Sequence, residues 1–303
     1  MNKAETKLLK MLLQSSETTL LNACRSYLEN NYGKHNVFLN NNFIYAIGEI
    51  PVMLVAHLDT VWHLPPQIKI TSDGNESTSS TGLGADDRAG VFAILQIIKK
   101  GLRPSILFTS GEERGGVGAS EFVNFFPEPP VPTKYIIEID RRGRGQAVYY
   151  DCGNPSFENY ISSFGFTTHQ GIFSDISFIC PFWKVAGVNL SAGYYNEHTS
   201  NELLSIKDLK YTMTRVKRML KDASNAKYYE YITTVPNSNN DLFLTCNICR
   251  NKVPYFNTFF VGGTQICANC LSTQVNWCEK CNKPFLNNGN IDALYCDMCE
   301  ETI

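Results

Sequence analysis

The sequence has no long apolar run and no excess of charge of one sign. No stretch of about 18 apolar residues occurs, so no membrane span is expected. Lys and Arg number 27 against 29 Asp and Glu, a net charge of −2, which gives no sign of a nucleic-acid or anionic-membrane partner. The opening MNKAETKLLKMLL is charged and lacks the apolar core and cleavage site of a secretory leader. We therefore expect a cytosolic protein.

Cysteine is scarce in most of the chain and concentrated near one end. Three of the eleven, Cys24, Cys152 and Cys180, are scattered. The other eight form four Cys-x-x-Cys pairs: Cys246 and Cys249, Cys267 and Cys270, Cys278 and Cys281, Cys296 and Cys299. In a reducing compartment such pairs indicate metal ligands rather than disulfides. They predict two structural Zn²⁺ in a double zinc ribbon. The simplest arrangement joins the first two pairs and the last two, and the spacing also allows a crossed arrangement.

The remaining pattern is that of an α/β protein. Short apolar runs typical of buried strands, such as 51–57 (PVMLVAH), 105–109 (SILFT) and 135–139 (YIIEI), alternate with helical patterns,. This predicts a three-layer sandwich with a mostly parallel central sheet. A long amphipathic helix is expected over 207–229. We predict a catalytic domain at 1–229, a polar linker at 230–242 and the zinc-ribbon domain at 243–303.

Polar side chains follow several of these strands. They are His57 and Asp59, the Asp86-Asp87 pair, the Glu112-Glu113 pair, Asp140, and His198 further along. Taken singly, each is more often a helix cap or a solvated loop residue. Together they are stronger, because the carboxyl ends of parallel strands meet at one edge of a sheet. Two histidines and three carboxylates, one of them shared, suffice to hold two zinc ions.

The order of these motifs resembles the dizinc exopeptidases of peptidase clan MH, which include peptidase T, glutamate-releasing carboxypeptidases, aminoacylases and leucyl-type aminopeptidases. The matching stretches are MLVAHLDTV, GLGADDRAGVFAIL, ILFTSGEERGGVGAS, YIIEID and NLSAGYYNEHTSNE. The resemblance implies that His57 and Asp140 bind one zinc, that Glu113 and His198 bind the other, and that Asp86 rather than Asp87 bridges them. Co²⁺ or Mn²⁺ could occupy the same site. Asp59 is then expected to orient His57, and Glu112 to act as general base toward a metal-bridging water. Asp175 has a counterpart near the site in similar enzymes, and we expect it to support the site without binding metal.

The spacing departs from many of these relatives in one place. His198 follows Asp140 by 58 positions, which leaves no room for an inserted lid domain of about 100 residues. We therefore predict a zinc-dependent metallopeptidase acting at a peptide terminus, with an aminopeptidase favoured. A carboxypeptidase or an N-acyl-amino-acid deacylase is the alternative. Arg141 and Arg142 could bind a substrate carboxylate. Tyr194 or Tyr195, of which we choose Tyr195, could hydrogen-bond the tetrahedral intermediate.

Alternatives of another class are a non-catalytic binding protein and a zinc-ribbon adaptor for nucleic acid or protein. Residues 241–303 carry four Lys or Arg against six Asp or Glu, and each zinc–tetrathiolate centre adds about two negative charges. Because such a module repels phosphates, nucleic acid is not expected as a partner. Protein contact or self-association through the ribbons is the more compatible role.

Overall fold

The computed structural model describes residues 1–62, 65–71, 75–171, 173–232, 243–254, 258–261, 264–278, 284–290, 293–296 and 299. The chain divides into two units, Met1–Thr234 and Val235–Ile303. None of the helices in this part of the chain combines the length and apolar character that a membrane crossing requires.

Two helices open the first unit, α1 (Lys3–Gln14) and α2 (Glu17–Tyr32). They are separate because each has its own cap. The Asn2 side chain accepts the Glu5 N–H while the Glu5 carboxylate accepts the Asn2 N–H, and Ser16 accepts the Thr19 N–H,. The remaining helices of the unit are the 3-10 turn η1 (Lys34–Asn36), α3 (Ala85–Lys99), α4 (Val117–Phe125), α5 (Pro155–Ser163), α6 (Ile176–Trp183) and α7 (Ile206–Asp222).

Within the described residues, the strands of the first unit form two sheets. In chain order they are β1 (Val37–Leu39), β2 (Phe43–Ala46), β3 (Ile50–His57), β4 (Lys69–Ile70), β5 (Glu76–Thr78), β6 (Pro104–Thr109), β7 (Tyr135–Arg141), β8 (Gln146–Val148), β9 (Thr167–His169), β10 (Gly187–Ser191), β11 (Tyr194–Tyr195) and β12 (Leu203–Ser205). The large sheet has the order β1-β2-β6-β3-β7-β10-β8-β9, and the small one β11-β12-β5-β4. In the large sheet β6, β3, β7 and β10 are parallel neighbours. The predicted α/β class with a mostly parallel sheet is confirmed.

Alternate side chains of the large sheet enter different helical layers. On β2, Ile44 joins the core that α1, α3 and α7 share, whereas Tyr45 packs against Phe122 of α4 and Trp183 of α6. Residues i and i+1 of a strand face opposite sides of a sheet, so the two helical groups cover opposite faces. This layering leaves the ends of the strands as the open edges of the unit.

The predicted helix over 207–229 is wrong over its last seven residues, 223–229, because α7 ends at Asp222. The Lys134 ammonium donates to the carbonyl of Ala223, the C-cap residue of α7, and to the carbonyls of Ser224 and Ala226 in the turn that follows. Beyond this turn the Tyr229 N–H donates to the Lys134 carbonyl, and the Tyr229 carbonyl accepts the Ala186 N–H. Tertiary pairing therefore replaces the helix that the local pattern favoured.

Gly90 allows α3 to lie close to β7. A Cβ atom added there would meet the backbone oxygen of Ile139 and the carboxylate of Asp87. We expect Gly90→Ala to lower the free energy of unfolding by about 3 kcal/mol, the upper range for overpacking, because a strand carbonyl cannot move aside. Thermal unfolding of the metal-free protein measures this. Gly101→Ala is the comparison: an added Cβ meets nothing within 4 Å there, but φ is +84°, so it should cost only the left-handed backbone strain of about 1 kcal/mol. An unchanged melting temperature for Gly90→Ala would contradict this close packing.

The second unit is made of three two-stranded hairpins and a short helix within its described residues. They are β13 (Phe243–Thr245) with β14 (Lys252–Pro254), β15 (Thr258–Val261) with β16 (Thr264–Cys267), α8 (Ala268–Gln274), and β17 (Val275–Trp277) with β18 (Pro284–Leu286). Its apolar cluster centres on Cys246, Ile266, Cys267 and Cys270. A core this small needs additional cross-links for stability. Residues 233–242 of the predicted linker lie outside the described residues.

Candidate metal centre

The predicted site residues lie at the carboxyl ends of the central parallel strands. His57 ends β3, Asp140 lies near the end of β7, and Glu112 and Glu113 follow the end of β6. Since β6, β3 and β7 are neighbours, their ends bring these side chains to one edge. Ligand atoms of His57, Asp86 and Glu113 all lie within 4.8 Å of one another. The expected convergence is therefore present in the fold.

Asp86 lies between two groups of potential ligands. Its Oδ1 is 3.2 Å from Nε2 of His57, which is also 3.5 Å from Oδ1 of Asp140. Its Oδ2 is 3.3 Å from Nε2 of His198, which is also 2.9 Å from Oε1 of Glu113. One carboxylate thus presents a different oxygen to each histidine. This is the arrangement that a bridging carboxylate requires between two metal ions.

The neighbouring Asp87 makes a different contact. Its Oδ1 accepts the backbone N–H of Gly90 at 2.9 Å, inside α3. The sequence alone left the two aspartates equivalent. In the structure only Asp86 faces both histidines, while Asp87 belongs to the first turn of the helix. The peptide bond between them is cis.

In the site, buried carboxylates outnumber the two histidines, so negative charge is in excess. Burial, together with repulsion from Asp86, raises the pKa of Asp140 to about 7,. Burial raises the pKa of Glu112 well above its ordinary value, and the charges of Asp140 and Glu113 add to this shift. Hydrogen bonds to Asp86 and Glu113 raise the pKa of His198 to about 10. Buried carboxylates crowded around two imidazoles fit a site built to hold cations.

Asp59 makes contacts on two sides of the site. Its Oδ1 lies 3.3 Å from Nδ1 of His57, the ring nitrogen opposite the one that faces Asp86. Its two carboxylate oxygens accept the backbone N–H groups of Glu112 and Glu113, each at 3.2 Å. The first contact puts the Asp59 carboxylate behind the imidazole ring, the position that carboxylates take behind metal-binding histidines. The second positions the turn that carries both glutamates.

Sequence reasoning missed three polar residues that lie behind Asp140: Asn189, Ser174 and Glu138. Asn189 accepts the Asp140 backbone N–H at 2.9 Å, and Ser174 donates to Glu138 at 2.6 Å and to Asp140 at 3.3 Å. Tyr194 donates to the carbonyl oxygen of Asp140 at 2.8 Å. The available signal was a polar residue inside an otherwise apolar strand, as with Glu138 in YIIEI. A polar group buried in a strand needs partners, and these side chains supply them.

Glu202 is a further buried carboxylate that sequence reasoning did not single out. It accepts the backbone N–H groups of four consecutive residues that end at Asp86, and the indole N–H of Trp62. Asp175, expected to support the site, is buried and accepts a hydrogen bond from Thr109. Burial raises the pKa of Asp175 to about 6.

The proposed substrate-contacting residues are engaged with other groups of the chain. Arg141 donates to Gln146 and to the backbone oxygen of Gln170, at 3.2 Å each. Arg142 pairs with Glu197 at 2.9 Å with 54% of its side chain exposed. The Tyr195 hydroxyl donates to Asp208 at 2.8 Å. The tyrosine that contacts the ligand set is Tyr194, so the choice of Tyr195 gains no support.

The cysteines of the second unit fall into two groups. The Sγ atoms of Cys246, Cys249, Cys267 and Cys270 lie within 4.8 Å of one another, and so do those of Cys278, Cys296 and Cys299. The fourth predicted member, Cys281, lies outside the described residues. The first two pairs therefore join, which agrees with the simplest arrangement and not with the crossed one. The clusters fit a zinc ribbon.

Comparison with known families identifies the chemistry of this chain. Residues 45–177 match the family model of peptidase family M28, a segment that contains His57, Asp86, Glu113 and Asp140. The chain is a zinc-dependent metallopeptidase. No curated protein sequence shows significant similarity to it.

Several solved structures of peptidases have a fold similar to that of this chain. An aminopeptidase PepT from Bacillus cereus matches with a TM-score of 0.55 and 16% identity, covering 72% of this chain and 97% of that one. A tripeptidase from Staphylococcus aureus matches with a TM-score of 0.56 and 16% identity, covering 73% of this chain and 98% of that one. The Pyrococcus horikoshii TET1 peptidase matches with a TM-score of 0.52 and 13% identity, covering 71% of this chain and 99% of that one. That peptidase can assemble into a tetrahedron or a large octahedral shell.

Proposed function

We propose that this metallopeptidase is an aminopeptidase with two zinc ions at one edge of its sheet. His57 and Asp140 would hold one ion, Glu113 and His198 the other, and Asp86 both. The observation that carries this proposal is the Asp86 carboxylate, whose two oxygens lie 3.2 and 3.3 Å from two different imidazole nitrogens. Co²⁺ or Mn²⁺ could take the place of zinc, because the donors are nitrogen and oxygen.

The reaction we propose is hydrolysis of the terminal amide bond. Bound zinc ions would polarise the scissile carbonyl and make water a better nucleophile near neutral pH. Glu112 takes the proton of the attacking water and delivers it to the departing amine. Asp59 holds the turn of Glu112 through backbone hydrogen bonds, so the base is placed by the same residue that orients His57. Tyr194 and Asn189 keep Asp140 in place from behind.

Two observations support an aminopeptidase over a carboxypeptidase. The similar structures include enzymes described as aminopeptidases. In addition, the arginines that follow Asp140 are paired, Arg142 with Glu197 and Arg144 with Asp208, which competes with binding of a substrate's terminal carboxylate. The exposure of Arg142 favours a carboxypeptidase or N-acyl-amino-acid deacylase as the second candidate.

The second unit, we propose, holds two structural zinc ions. Cys246, Cys249, Cys267 and Cys270 would bind one, and Cys278, Cys281, Cys296 and Cys299 the other, since four thiolates in tetrahedral arrangement are the usual structural site. Thiolate ligands need a reducing compartment, which supports a cytosolic location. Assembly of the Pyrococcus horikoshii peptidase into shells supports self-association of this chain as a further proposal.

A mixed pool of peptides and N-acyl amino acids, followed by mass spectrometry, tests the proposed activity. We expect stepwise loss of residues from the peptide N-terminus by the zinc-loaded protein, because the lidless site leaves a chain end free to enter. Removal of metal with a mild chelator should abolish the loss, and added Zn²⁺ or Co²⁺ should restore it.

The blocked peptides in the pool are the internal control. N-acetylated copies of the same sequences should resist cleavage if a free amino terminus is required. Loss of C-terminal residues or of acyl groups would instead establish the second candidate. A metal-loaded protein that leaves every component unchanged would argue against the proposed aminopeptidase.

A further inference from the structure

The carboxylate of Glu202 gathers five hydrogen-bond donors. Oε1 accepts the N–H groups of Ala85 at 2.8 Å and Asp86 at 3.1 Å. Oε2 accepts those of Leu83 at 2.9 Å and Gly84 at 2.8 Å, and the indole N–H of Trp62 at 3.0 Å. Only 1% of the Glu202 residue is exposed. A buried charge is tolerated when its oxygens are fully hydrogen-bonded, as here.

These four backbone N–H groups have no carbonyl acceptor within the helix. They lie at the start of α3, where the first N–H groups of a helix lack intrahelical acceptors. The backbone is also irregular there, since Gly84 has a φ of 68° and Asp86 a ψ of 106°, which is not helical. Without Glu202 these buried N–H groups would be unsatisfied, so the conformation that carries Asp86 depends on this one carboxylate.

The segment that bears Glu202 also bears His198. Both lie in the connection between β11 and β12, where Glu202 N–H donates to Thr199 and the Thr199 hydroxyl donates to Asn196. The main chain of Glu202 leads directly into β12, which pairs with β5. Glu202 thus joins the loop of one metal-facing histidine to the backbone of the carboxylate that stands 3.3 Å from that histidine.

We infer that Glu202 is a positioning residue. It holds the Asp86 segment and the His198 loop in a fixed relative position, so that the two oxygens of the Asp86 carboxylate face His57 and His198. The inference rests on the proposed metal site but not on any substrate. It assigns the five hydrogen bonds of Glu202 a function beyond local folding. The distance between two ligands from separate parts of the chain is fixed before a metal arrives.

Cobalt binding to Glu202→Gln tests this inference in the full-length protein. The ribbon cysteines are first loaded with Zn²⁺, and Co²⁺ is then titrated into the first unit and followed by its visible d–d bands. The glutamine amide turns an N–H₂ group toward backbone N–H donors, so the Asp86 segment should shift. We expect Co²⁺ affinity to fall about 10- to 100-fold, as for other residues that orient ligands, with altered d–d bands.

Two variants separate positioning from general stability. Glu121→Gln, which alters a carboxylate that accepts hydrogen bonds from Asn40 and Asn42, should leave affinity and spectrum unchanged. Trp62→Phe removes one of the five donors and should weaken Co²⁺ binding less than Glu202→Gln does. If Glu202→Gln does not fold, Glu202→Asp takes its place, because it keeps the charge and shortens its reach. A Glu202 variant that folds and binds Co²⁺ with the affinity and spectrum of the unaltered protein would overturn the inference.

Cobalt binding is independent of turnover, so the inference and the proposed function fail in different ways. Unaltered protein that binds Co²⁺ at the first unit yet cleaves no peptide would count against the aminopeptidase alone. Metal-free Glu202→Gln could have a lower melting temperature and yet show the same rise in melting temperature on Co²⁺ binding as the unaltered protein. That result would make Glu202 a structural residue and would also overturn the positioning role.

Discussion

Replacing Glu112 with glutamine is expected to lower kcat about 10²- to 10⁴-fold, the usual contribution of a general base, while metal content stays unchanged. This expectation rests on where Glu112 and Glu113 lie relative to His198. Glu112 lies beside Glu113, and the oxygen that approaches His198 belongs to Glu113, so we assign the proton transfer to the Glu112 carboxylate. Steady-state kinetics with metal analysis of the same sample measures both quantities.

Glu113→Gln is the matched control, because it makes the same chemical change one residue away. It should lose metal together with activity, since Glu113 is 2.9 Å from Nε2 of His198 and belongs to the proposed ligand set. Equal loss of metal in both variants would make Glu112 a ligand. Full activity of Glu112→Gln would show that another group moves the proton.

The second large effect is expected at Asp86. Asp86→Asn should reduce bound catalytic metal and lower activity by more than about 100-fold, the upper cost of altering a residue that only orients a ligand. The reason is that this carboxylate faces both histidines, so its loss weakens both ion sites at once. Metal analysis of the ribbon-loaded protein, combined with initial rates on a cleaved peptide, measures the change.

Asp87→Asn provides the comparison at the adjacent position. Its amide oxygen can still accept the Gly90 N–H that Asp87 accepts at 2.9 Å, so metal content should remain close to that of the unaltered protein. If Asp87→Asn lost the metal and Asp86→Asn kept it, the bridging role would pass to Asp87 and the proposed ligand set would be wrong.

The fold and the clustering of the site could be predicted because both depend on short-range patterns. Apolar runs such as PVMLVAH are typical of strands buried on both faces, and parallel strands align their carboxyl ends. Any polar group that directly follows such a strand is therefore carried to the same edge. This argument placed His57, Glu113 and Asp140 together without any knowledge of how the strands are ordered.

Other features depend on pairings that no local pattern contains. Tyr194 and Tyr195 are adjacent in β11, and neighbouring strand residues face opposite sides. The choice between them requires knowing which side holds Asp140. Glu202 lies in a polar stretch like many others, and its partners lie more than a hundred positions earlier in the chain. The end of α7 is set by Lys134, from a different part of the fold.

The order in which the site residues occur along the chain has a consequence for synthesis on the ribosome. His57 comes first and His198 with Glu202 come last, so 57–202 must all be translated before the centre can close. At 5–20 residues per second this takes roughly 7 to 30 s. A nascent chain therefore carries the acidic ligands and the sheet strands β3, β6 and β7 well before its second imidazole. The second imidazole is therefore the last ligand of the proposed metal centre to be synthesised.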